Sequence, residues 1–353
     1  MGNRKKPRNI KLSVIVSVAL SITVILVILY LTVDVSTFQY LSTVSLRYEF
    51  FVVAVVLSIL YWVLWGARLK VLSNAIDPQV RIGWWESTKI VLANLFLASI
   101  TPSLAGGEPV RIYLLSKDGL STGSATAVVL GERLIDAIFL LVCLPFAVFI
   151  LKDLVHVEYL SIGLTIAVIV FIFFVLLFAL AIKYPEKTKS FLIRANEKFN
   201  RLLKKKNTKK IVNKINREVD NFHSSMVFFL TGGKKAFLGA SALTVLMWIS
   251  GFLIPSMILL GLNLPPVFIQ SIAAQVLLVV IAMMPTTPGS TGVVELSFAG
   301  LYTLFVESPF IGVFVILFRL ITYHMGLLVG AVFQYRIFKS ITSFSLDAFE
   351  KHR

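Results

Sequence analysis

The sequence predicts an all-α, multi-pass membrane protein with six full crossings and two re-entrant helical hairpins, arranged as an inverted repeat. Three observations lead to this prediction. The chain is 57% hydrophobic with a mean hydropathy of +0.87, well above the apolar share of soluble domains. Its apolar residues fall into long runs with almost no charge, and its lysines and arginines are distributed unevenly between those runs.

The six crossings are predicted from uncharged or nearly uncharged runs. Residues 12–33, for example, include no charge over 22 positions, enough for a helix to span the hydrocarbon core. The six runs are 12–33, 50–66, 123–151, 159–182, 236–261 and 308–336. Two further apolar stretches, 84–116 and 267–305, are interrupted by proline and glycine, and each is predicted to enter and leave the membrane on one side.

The basic residues predict the orientation, because cytoplasmic loops of membrane proteins are enriched in Lys and Arg. With a cytoplasmic N-terminus, 28 of the 34 basic residues, Arg68 among them, lie in cytoplasmic segments, and two, Arg47 and Lys152, lie outside. The remaining four fall in apolar stretches: Lys89, Arg111, Arg133 and Arg319. We therefore predict a cell-membrane protein with both termini cytoplasmic. Its net charge of +16 reflects this topology rather than nucleic-acid binding.

The whole chain, 1–353, is expected to form a single integral membrane domain. Residues 50–151 and 236–336 form its two repeat units, and 183–235 form a basic cytoplasmic linker. Apolar residues at helical spacing predict two amphipathic helices in the linker, joined near Asn207 and lying at the cytoplasmic surface. Such a linker either is a solvated segment or binds lipid headgroups, and the sequence leaves both open.

A single offset of 186 residues superimposes the two interrupted stretches. The aligned pairs are Thr101-Pro102 with Thr287-Pro288, Gly106 with Gly292, and the Arg-Leu-Ile triplets that begin at Arg133 and Arg319. Because an odd number of crossings separates the two units, their orientations would be opposite. Inverted repeats with broken helices are the recurring architecture of secondary transporters.

The proline and glycine positions predict where the helices break. Non-helical backbone at membrane depth is tolerated inside the protein or along a wet cavity, because lipid cannot satisfy the freed polar groups. Each break would begin a new half-helix whose free N–H groups favour an anion. The predicted break residues are Thr101, Pro102, Gly106, Gly107, Thr287, Pro288, Gly289 and Gly292.

Seven charged residues in these apolar stretches are the candidate substrate-binding residues. They are Glu108, Arg111, Glu132, Arg133, Asp136, Glu295 and Arg319. Glu132 and Asp136 are four residues apart, which places both on one helix face. Charges at this depth are costly and mark substrate or ion paths, or else they pair with one another as structural clamps, Arg133 with Asp136 or Arg319 with Glu295. Arginines in such a cavity can bind a phosphate bidentately.

Two carboxylates four residues apart are also compatible with acid/base or metal-assisted chemistry. However, the chain has no P-loop and no His/Cys cluster with metal-ligand spacing, and its four histidines are scattered. We therefore expect no catalytic residue, no metal and no cofactor, and a protein that is not an enzyme.

Three segments carry a resemblance to a known family: TPSLAGGEPVR (101–111), GERLID (131–136) and PTTPGSTGVVE (285–295). With them, the chain resembles the transmembrane, flippase-like region of the lysylphosphatidylglycerol synthases and looks like a stand-alone member. The resemblance implies movement of a lipid between leaflets. The soluble domain that makes the aminoacylated lipid in bacterial synthases is expected to be absent, so aminoacyl transfer is not implied. Ser290 stands where many members have glycine.

The leading hypothesis is translocation of an anionic or polyprenyl-phosphate-linked lipid. Arg133 and Arg319 would hold the phosphate, while Glu132, Asp136 and Glu295 would pair with the arginines in the empty state. One alternative is a small-anion or proton-coupled solute transporter that uses the same cavity. Another is a non-catalytic membrane scaffold for a glycosyltransferase that docks on the basic linker. The expected partner is membrane lipid with an anionic headgroup, and no nucleic acid.

Overall fold

The computed structural model describes residue 42 and residues 44–335, apart from 78, 100, 102–106, 153–168, 170–171, 174–175, 178, 181, 204–207, 284–286 and 288. The first predicted crossing, 12–33, and most of the fourth, 159–182, lie outside the described residues. Within the described ranges the regular structure is entirely helical. The all-α class predicted from the sequence is therefore confirmed.

The helices are numbered here in chain order. They are α1 (Tyr48–Ile76), α2 (Trp84–Ser99), α3 (Gly107–Lys117), α4 (Thr122–Leu151), α5 (Pro185–Leu203), α6 (Thr208–Leu230), α7 (Lys234–Gly261), α8 (Phe268–Ala282), α9 (Val293–Tyr302) and α10 (Ser308–Arg319, which continues through the π-helical turn Leu320–His324 to Tyr335). Among the described residues, α1, α4, α7 and α10 are long and apolar enough to cross a membrane. They correspond to four of the six predicted crossings.

Each interrupted apolar stretch forms a pair of short helices, α2 with α3 and α8 with α9. The helices are short because the chain breaks where proline and glycine interrupt the pattern: α2 has 16 residues and α9 has 10. Pro102, Gly106 and Pro288 lie outside the described residues. The re-entrant path of each pair stays a prediction.

The helix boundaries follow the offset seen in the sequence. Helix α7 begins 186 residues after α1, α9 begins 186 after α3, and α10 begins 186 after α4. Helices α1 and α7, which occupy corresponding positions, also form the most extensive helix–helix contact. This correspondence supports an internal duplication, while the opposite orientation of the two units stays a prediction.

Much of the outer surface of the helix bundle is apolar. Phe146 and Phe149 on α4, Leu238 on α7 and Leu328 on α10 are among its exposed large hydrophobic side chains. Such faces are unfavourable in water and are expected where a helix faces lipid tails. The lipid-facing surface explains why these helices are apolar on both faces rather than on one.

Candidate functional site

Arg68 on α1 lies at the centre of the larger of two buried ion-pair clusters. Its Nε donates to Glu132 Oε1 at 3.0 Å, and its Nη1 and Nη2 donate to the two oxygens of Asp136 at 2.6 and 3.4 Å. Nη1 also donates to Thr244 Oγ1 on α7 at 3.0 Å. Arg68 is 1% exposed, so this guanidinium joins α1, α4 and α7 deep inside the bundle.

Helix α4 supplies both carboxylates because Glu132 and Asp136 are one turn apart on the face that turns toward α1 and α7. Trp248 on α7 adds a further donor, since its Nε1 donates to Asp136 Oδ1 at 3.0 Å. Both carboxylates are essentially buried. The predicted common face of Glu132 and Asp136 is therefore present, and it binds Arg68.

Arg111 on α3 is the second arginine of the larger cluster. It is fully buried and forms an ion pair with Glu132, and its guanidinium lies 5.1 Å from the ring centroid of Trp65. Its Nε and Nη1 are also buried and have no hydrogen-bond partner in the described part of the chain. A buried arginine with unused N–H donors is costly unless another group uses them.

Arg133 is the most accessible arginine of the larger cluster, with 34% of its side chain exposed. It forms an ion pair with Glu108, whose carboxylate oxygen lies 2.6 Å from the Arg133 Nε, and its Nη1 lies 3.6 Å from Asp136 Oδ2. The Arg133–Asp136 pair was one of the two structural clamps predicted from the sequence. Three arginines thus face three carboxylates, and the cluster is balanced in formal charge.

The smaller cluster lies where α9 meets α10. Arg319 Nε lies 2.9 Å from Glu295 Oε1, which is the second predicted clamp, and both side chains are buried. The other oxygen of Glu295 accepts a hydrogen bond from the Gly292 backbone N–H at 2.7 Å, so this carboxylate also caps the start of α9. Arg319 Nη2 is buried and has no hydrogen-bond partner among the described residues.

A π-helical turn follows Arg319 directly, and the guanidinium lies 4.1 Å from the ring centroid of Tyr323 within that turn. His324 Nδ1 lies 3.1 Å from the Arg319 carbonyl oxygen. The wider turn brings Tyr323 beneath the arginine. Single π-helical turns inside α-helices occur frequently at functional sites.

The two helix breaks contact one another. The Gly289 backbone N–H donates to the carbonyl oxygen of Thr101 at 3.0 Å, and the Tyr323 hydroxyl donates to the carbonyl oxygen of Ser99 at 3.1 Å. Gly289 has φ +63°, and a Cβ atom there would lie 2.4 Å from the Ser99 oxygen. Glycine is therefore required at this position for backbone conformation and for space.

Gly107 serves a similar purpose at the start of α3. A Cβ atom at Gly107 would lie 1.9 Å from Asn94 Oδ1 on α2, so the glycine lets the two helices of the first pair approach. Gly292 has φ +85° before α9, and Ser290 has φ +52° although it is not glycine. The Ser290 hydroxyl donates to the Ala282 carbonyl oxygen at 2.9 Å, which satisfies the end of α8.

The sequence prediction missed Arg68 because it assigned this residue to a cytoplasmic segment. The uncharged run 50–66 stops just before Arg68, but α1 continues to Ile76. A signal for burial was present: positions 65, 68, 69 and 72 share one helix face, and all four are buried. Lys89, the other basic residue of the apolar stretches, lies 2.6 Å from Glu86 on its own helix and joins neither cluster.

The pairing of Glu132 also differs from the prediction. It was expected to pair with a phosphate-binding arginine, Arg133 or Arg319, but its partners are Arg68 and Arg111. The seven predicted residues fall into the two clusters. Five belong to the larger cluster around α4, and Glu295 and Arg319 form the smaller one between α9 and α10. Within the described ranges, no group of three His, Cys, Asp or Glu side chains could hold a metal ion.

In the part of the chain that the structure describes, four membrane-length helices around buried ion pairs define a multi-pass helical membrane protein. The chain belongs to the family of the lysylphosphatidylglycerol synthase transmembrane region, whose family model matches residues 14–330. The resemblance predicted from three short segments is thus confirmed.

The chain is similar along most of its length to archaeal membrane proteins. A UPF0104 membrane protein of Archaeoglobus fulgidus is 37% identical over 298 residues, which cover 82% of this chain and 87% of that protein. A UPF0104 membrane protein of Pyrococcus horikoshii is 24% identical over 339 residues, covering 93% and 98%. One of Methanocaldococcus jannaschii is 27% identical over 290 residues, covering 80% and 83%. No solved structure is significantly similar to the chain.

Proposed function

We propose that this protein translocates an anionic lipid, a phospholipid or a polyprenyl-phosphate-linked lipid, across the cell membrane. The headgroup would pass through the polar interior of the bundle while the tails remain in the bilayer. Membership of the lysylphosphatidylglycerol synthase transmembrane family supports lipid as the substrate class. Within this proposal both termini are cytoplasmic, and the α2–α3 and α8–α9 pairs are re-entrant.

One observation carries the proposal: each cluster contains a buried arginine with N–H donors that have no hydrogen-bond partner among the described residues. They are Nε and Nη1 of Arg111 and Nη2 of Arg319. Arg111 lies near the start of α3, just after the first break, and Arg319 pairs with Glu295 at the start of α9, just after the second break. The positive end of each helix dipole adds to the attraction for an anion. A phosphate oxygen would use these donors, because charge-assisted hydrogen bonds to arginine are among the strongest available.

The two clusters suggest different steps for the headgroup. Arg133 is partly exposed and is held by Glu108, so an incoming phosphate could replace that carboxylate at modest cost. Arg319 is buried with Glu295 at the second break. We therefore assign Arg133 to headgroup entry and Arg319 to a deeper binding position, with Glu108, Asp136 and Glu295 as the groups that the phosphate displaces.

The test is a transport assay with purified protein in vesicles that contain a fluorescent phosphatidylglycerol, whose movement between leaflets is followed with a membrane-impermeant quencher. Arg133→Ala and Arg319→Ala are each expected to slow movement by about tenfold or more, because hydrogen bonds to charged groups contribute about 1.5–3 kcal/mol. Arg47→Ala is the matched control, since Arg47 is an exposed arginine that pairs with Glu49 outside both clusters. It should transport as the wild type does.

Transport that survives both changes in correctly folded protein would overturn the proposal. Flux of a small anion without lipid movement would favour the solute-transporter alternative. No transport of either kind, with normal insertion and binding of a soluble protein to the linker, would favour the scaffold alternative.

A further inference from the structure

Helices α5 and α6 form a two-helix arm, which we define as residues 185–230. Lys189 on α5 joins the two helices, since its Nζ lies 2.7 Å from Asp220 on α6 and 2.7 Å from Glu186 on its own helix. Hydrogen bonds to Asp220 and Glu186 raise the pKa of Lys189 above its ordinary value, so it remains charged at neutral pH. The face of α5 around Lys189 is therefore occupied by α6.

The opposite face of α5 is exposed and combines aromatic with basic side chains. Phe191 is 70% exposed, and Ala195 lies on the same face at helical spacing. Tyr184, the residue just before α5, is 40% exposed. Lys187 lies 4.8 Å from the centroid of the Tyr184 ring, and Arg194 is exposed one turn from Phe191. Exposed aromatic side chains beside lysine and arginine are typical of helices that lie in the interface of a bilayer.

The charge of this region is strongly positive. Residues 183–235 contain fifteen Lys and Arg against four Asp and Glu, a formal charge of +11. A surface of this charge is complementary to the anionic headgroups of a cytoplasmic leaflet. A soluble acidic protein could also bind a basic surface. However, it leaves unexplained why Phe191 and Tyr184 are both exposed there.

The arm is tied to the helix that carries the larger cluster. Glu218 on α6 accepts a hydrogen bond from the Gly123 backbone N–H at 2.7 Å, at the start of α4. Ser225 Oγ lies 3.2 Å from Ser124 Oγ. Further along, a Cβ atom at Gly131 would lie 3.4 Å from the ring of Phe229, one residue before Glu132. The position of the arm is thus linked to the position of α4.

We propose that the exposed face of α5 is a docking surface for the anionic leaflet of the protein's own membrane. Phe191 and Tyr184 insert among the headgroups, and Lys187 and Arg194 bind headgroup phosphates. Through α6, this contact holds α4 at a fixed depth. This surface is separate from the ion-pair clusters of the proposed transport path, so it stands or falls independently of that function.

The test places a fluorescent label on the full-length protein in vesicles, at a cysteine introduced by Ala195→Cys in a Cys143→Ser background. Vesicles contain phosphatidylcholine alone or with phosphatidylglycerol, and aqueous iodide measures exposure of the label. We expect shielding in phosphatidylglycerol at about 0.1 M salt, and loss of shielding near 1 M salt, where the screening length falls from about 10 to about 3 Å. A label at a cysteine introduced by Ser190→Cys, on another face of α5, should remain accessible to iodide in every lipid and at every salt concentration.

Charge reversal should confirm the source of the attraction. Lys187→Glu with Arg194→Glu is expected to weaken the shielded state by at least about tenfold, because each basic side chain near an anionic surface contributes to binding. Lys152→Glu, an equal charge change per residue at the far end of α4, should leave shielding unchanged. The proposal would be overturned if iodide quenching were the same with and without phosphatidylglycerol, at low and high salt, and in the charge-reversal variant. Shielding already present in phosphatidylcholine or in detergent would also overturn it, because it would show an uncharged or protein–protein contact.

Discussion

The two ion-pair clusters differ in how completely their arginines are used. Arg68 in the larger cluster donates to two carboxylates and a threonine hydroxyl, and three helices meet at it. Arg319 in the smaller cluster faces one carboxylate, that of Glu295, which also caps the start of α9. Its Nη2 has no hydrogen-bond partner among the described residues. The difference separates a structural arginine from arginines that retain capacity for a ligand.

Arg111 and Arg133 share the larger cluster with Arg68 but have fewer partners. Arg111 shares Glu132 with Arg68, and Arg133 is held at a partly exposed position by Glu108. Because Arg68 pairs with both Glu132 and Asp136, either of the other two arginines could change partner without leaving these two carboxylates unpaired. In the proposed function, Arg68 would therefore hold the larger cluster together while the other two arginines bind the anion.

The largest effect is predicted for Arg68→Ala. It would leave Glu132 and Asp136 buried without their main partner, and breaking a buried ion pair costs about 3–5 kcal/mol. We expect poor yield of folded protein and a large fall in the temperature at which it loses monodispersity in detergent. Arg133→Ala, in the same cluster but partly exposed, should change stability by about 1 kcal/mol or less.

A compensated variant tests the reason for that fall. Arg68→Met combined with Glu132→Gln and Asp136→Asn removes the charge from both sides, so it should recover part of the stability lost in Arg68→Ala. If the triple variant is as unstable as the single one, charge balance is not the role of Arg68.

The next largest effect is predicted for Gly289, where the two helix breaks contact one another. In Gly289→Ala, the new methyl group would sit 2.4 Å from the Ser99 carbonyl oxygen at a φ of +63°. Strain and overpacking together should cost about 2–4 kcal/mol. Gly300→Ala is the matched control, because a Cβ atom there meets nothing within 4 Å. Equal thermal stability of the two variants would contradict the close contact between the breaks.

A smaller loss is predicted for Arg319→Ala. Glu295 would keep its hydrogen bond from the Gly292 N–H at the start of α9, which stabilises a carboxylate there. We expect a cost of about 1–3 kcal/mol, the range for hydrogen bonds to charged groups. The measurement is the thermal stability of Arg319→Ala compared with that of Arg68→Ala and of the wild type. A loss as large as that of Arg68→Ala would show that both arginines are primarily structural.

The sequence was sufficient for the helices that the structure describes and for the pairs of charges that lie near each other along the chain. Glu132, Arg133 and Asp136 share a short segment, so helical spacing alone placed them together. The breaks before Gly107 and before Val293 were predicted because proline and glycine interrupt apolar runs, and these are local signals.

The partners of these charges could not be predicted, because they come from helices far away in the chain. Arg68 meets Glu132 across 64 residues and Thr244 across 176. A charge two residues beyond the end of an uncharged run is typical of a loop, and the burial of Arg68 depends on how α1 packs against α4 and α7. The contact between Gly289 and Thr101 is likewise set by packing, which sequence spacing does not report.

The smallest predicted effect tests the second break alone, at Ser290. The residue is buried with φ +52°, a conformation that favours glycine, and its hydroxyl donates to the Ala282 carbonyl oxygen. Ser290→Ala keeps the strain and loses the hydrogen bond, so it should cost about 1 kcal/mol. Ser290→Gly loses the same bond but relieves strain of about 1 kcal/mol, so its thermal stability should match that of the wild type. If Ser290→Gly is instead less stable than Ser290→Ala, the left-handed conformation at this position carries no strain. The second break would then depend on the Ser290 side chain rather than on backbone freedom.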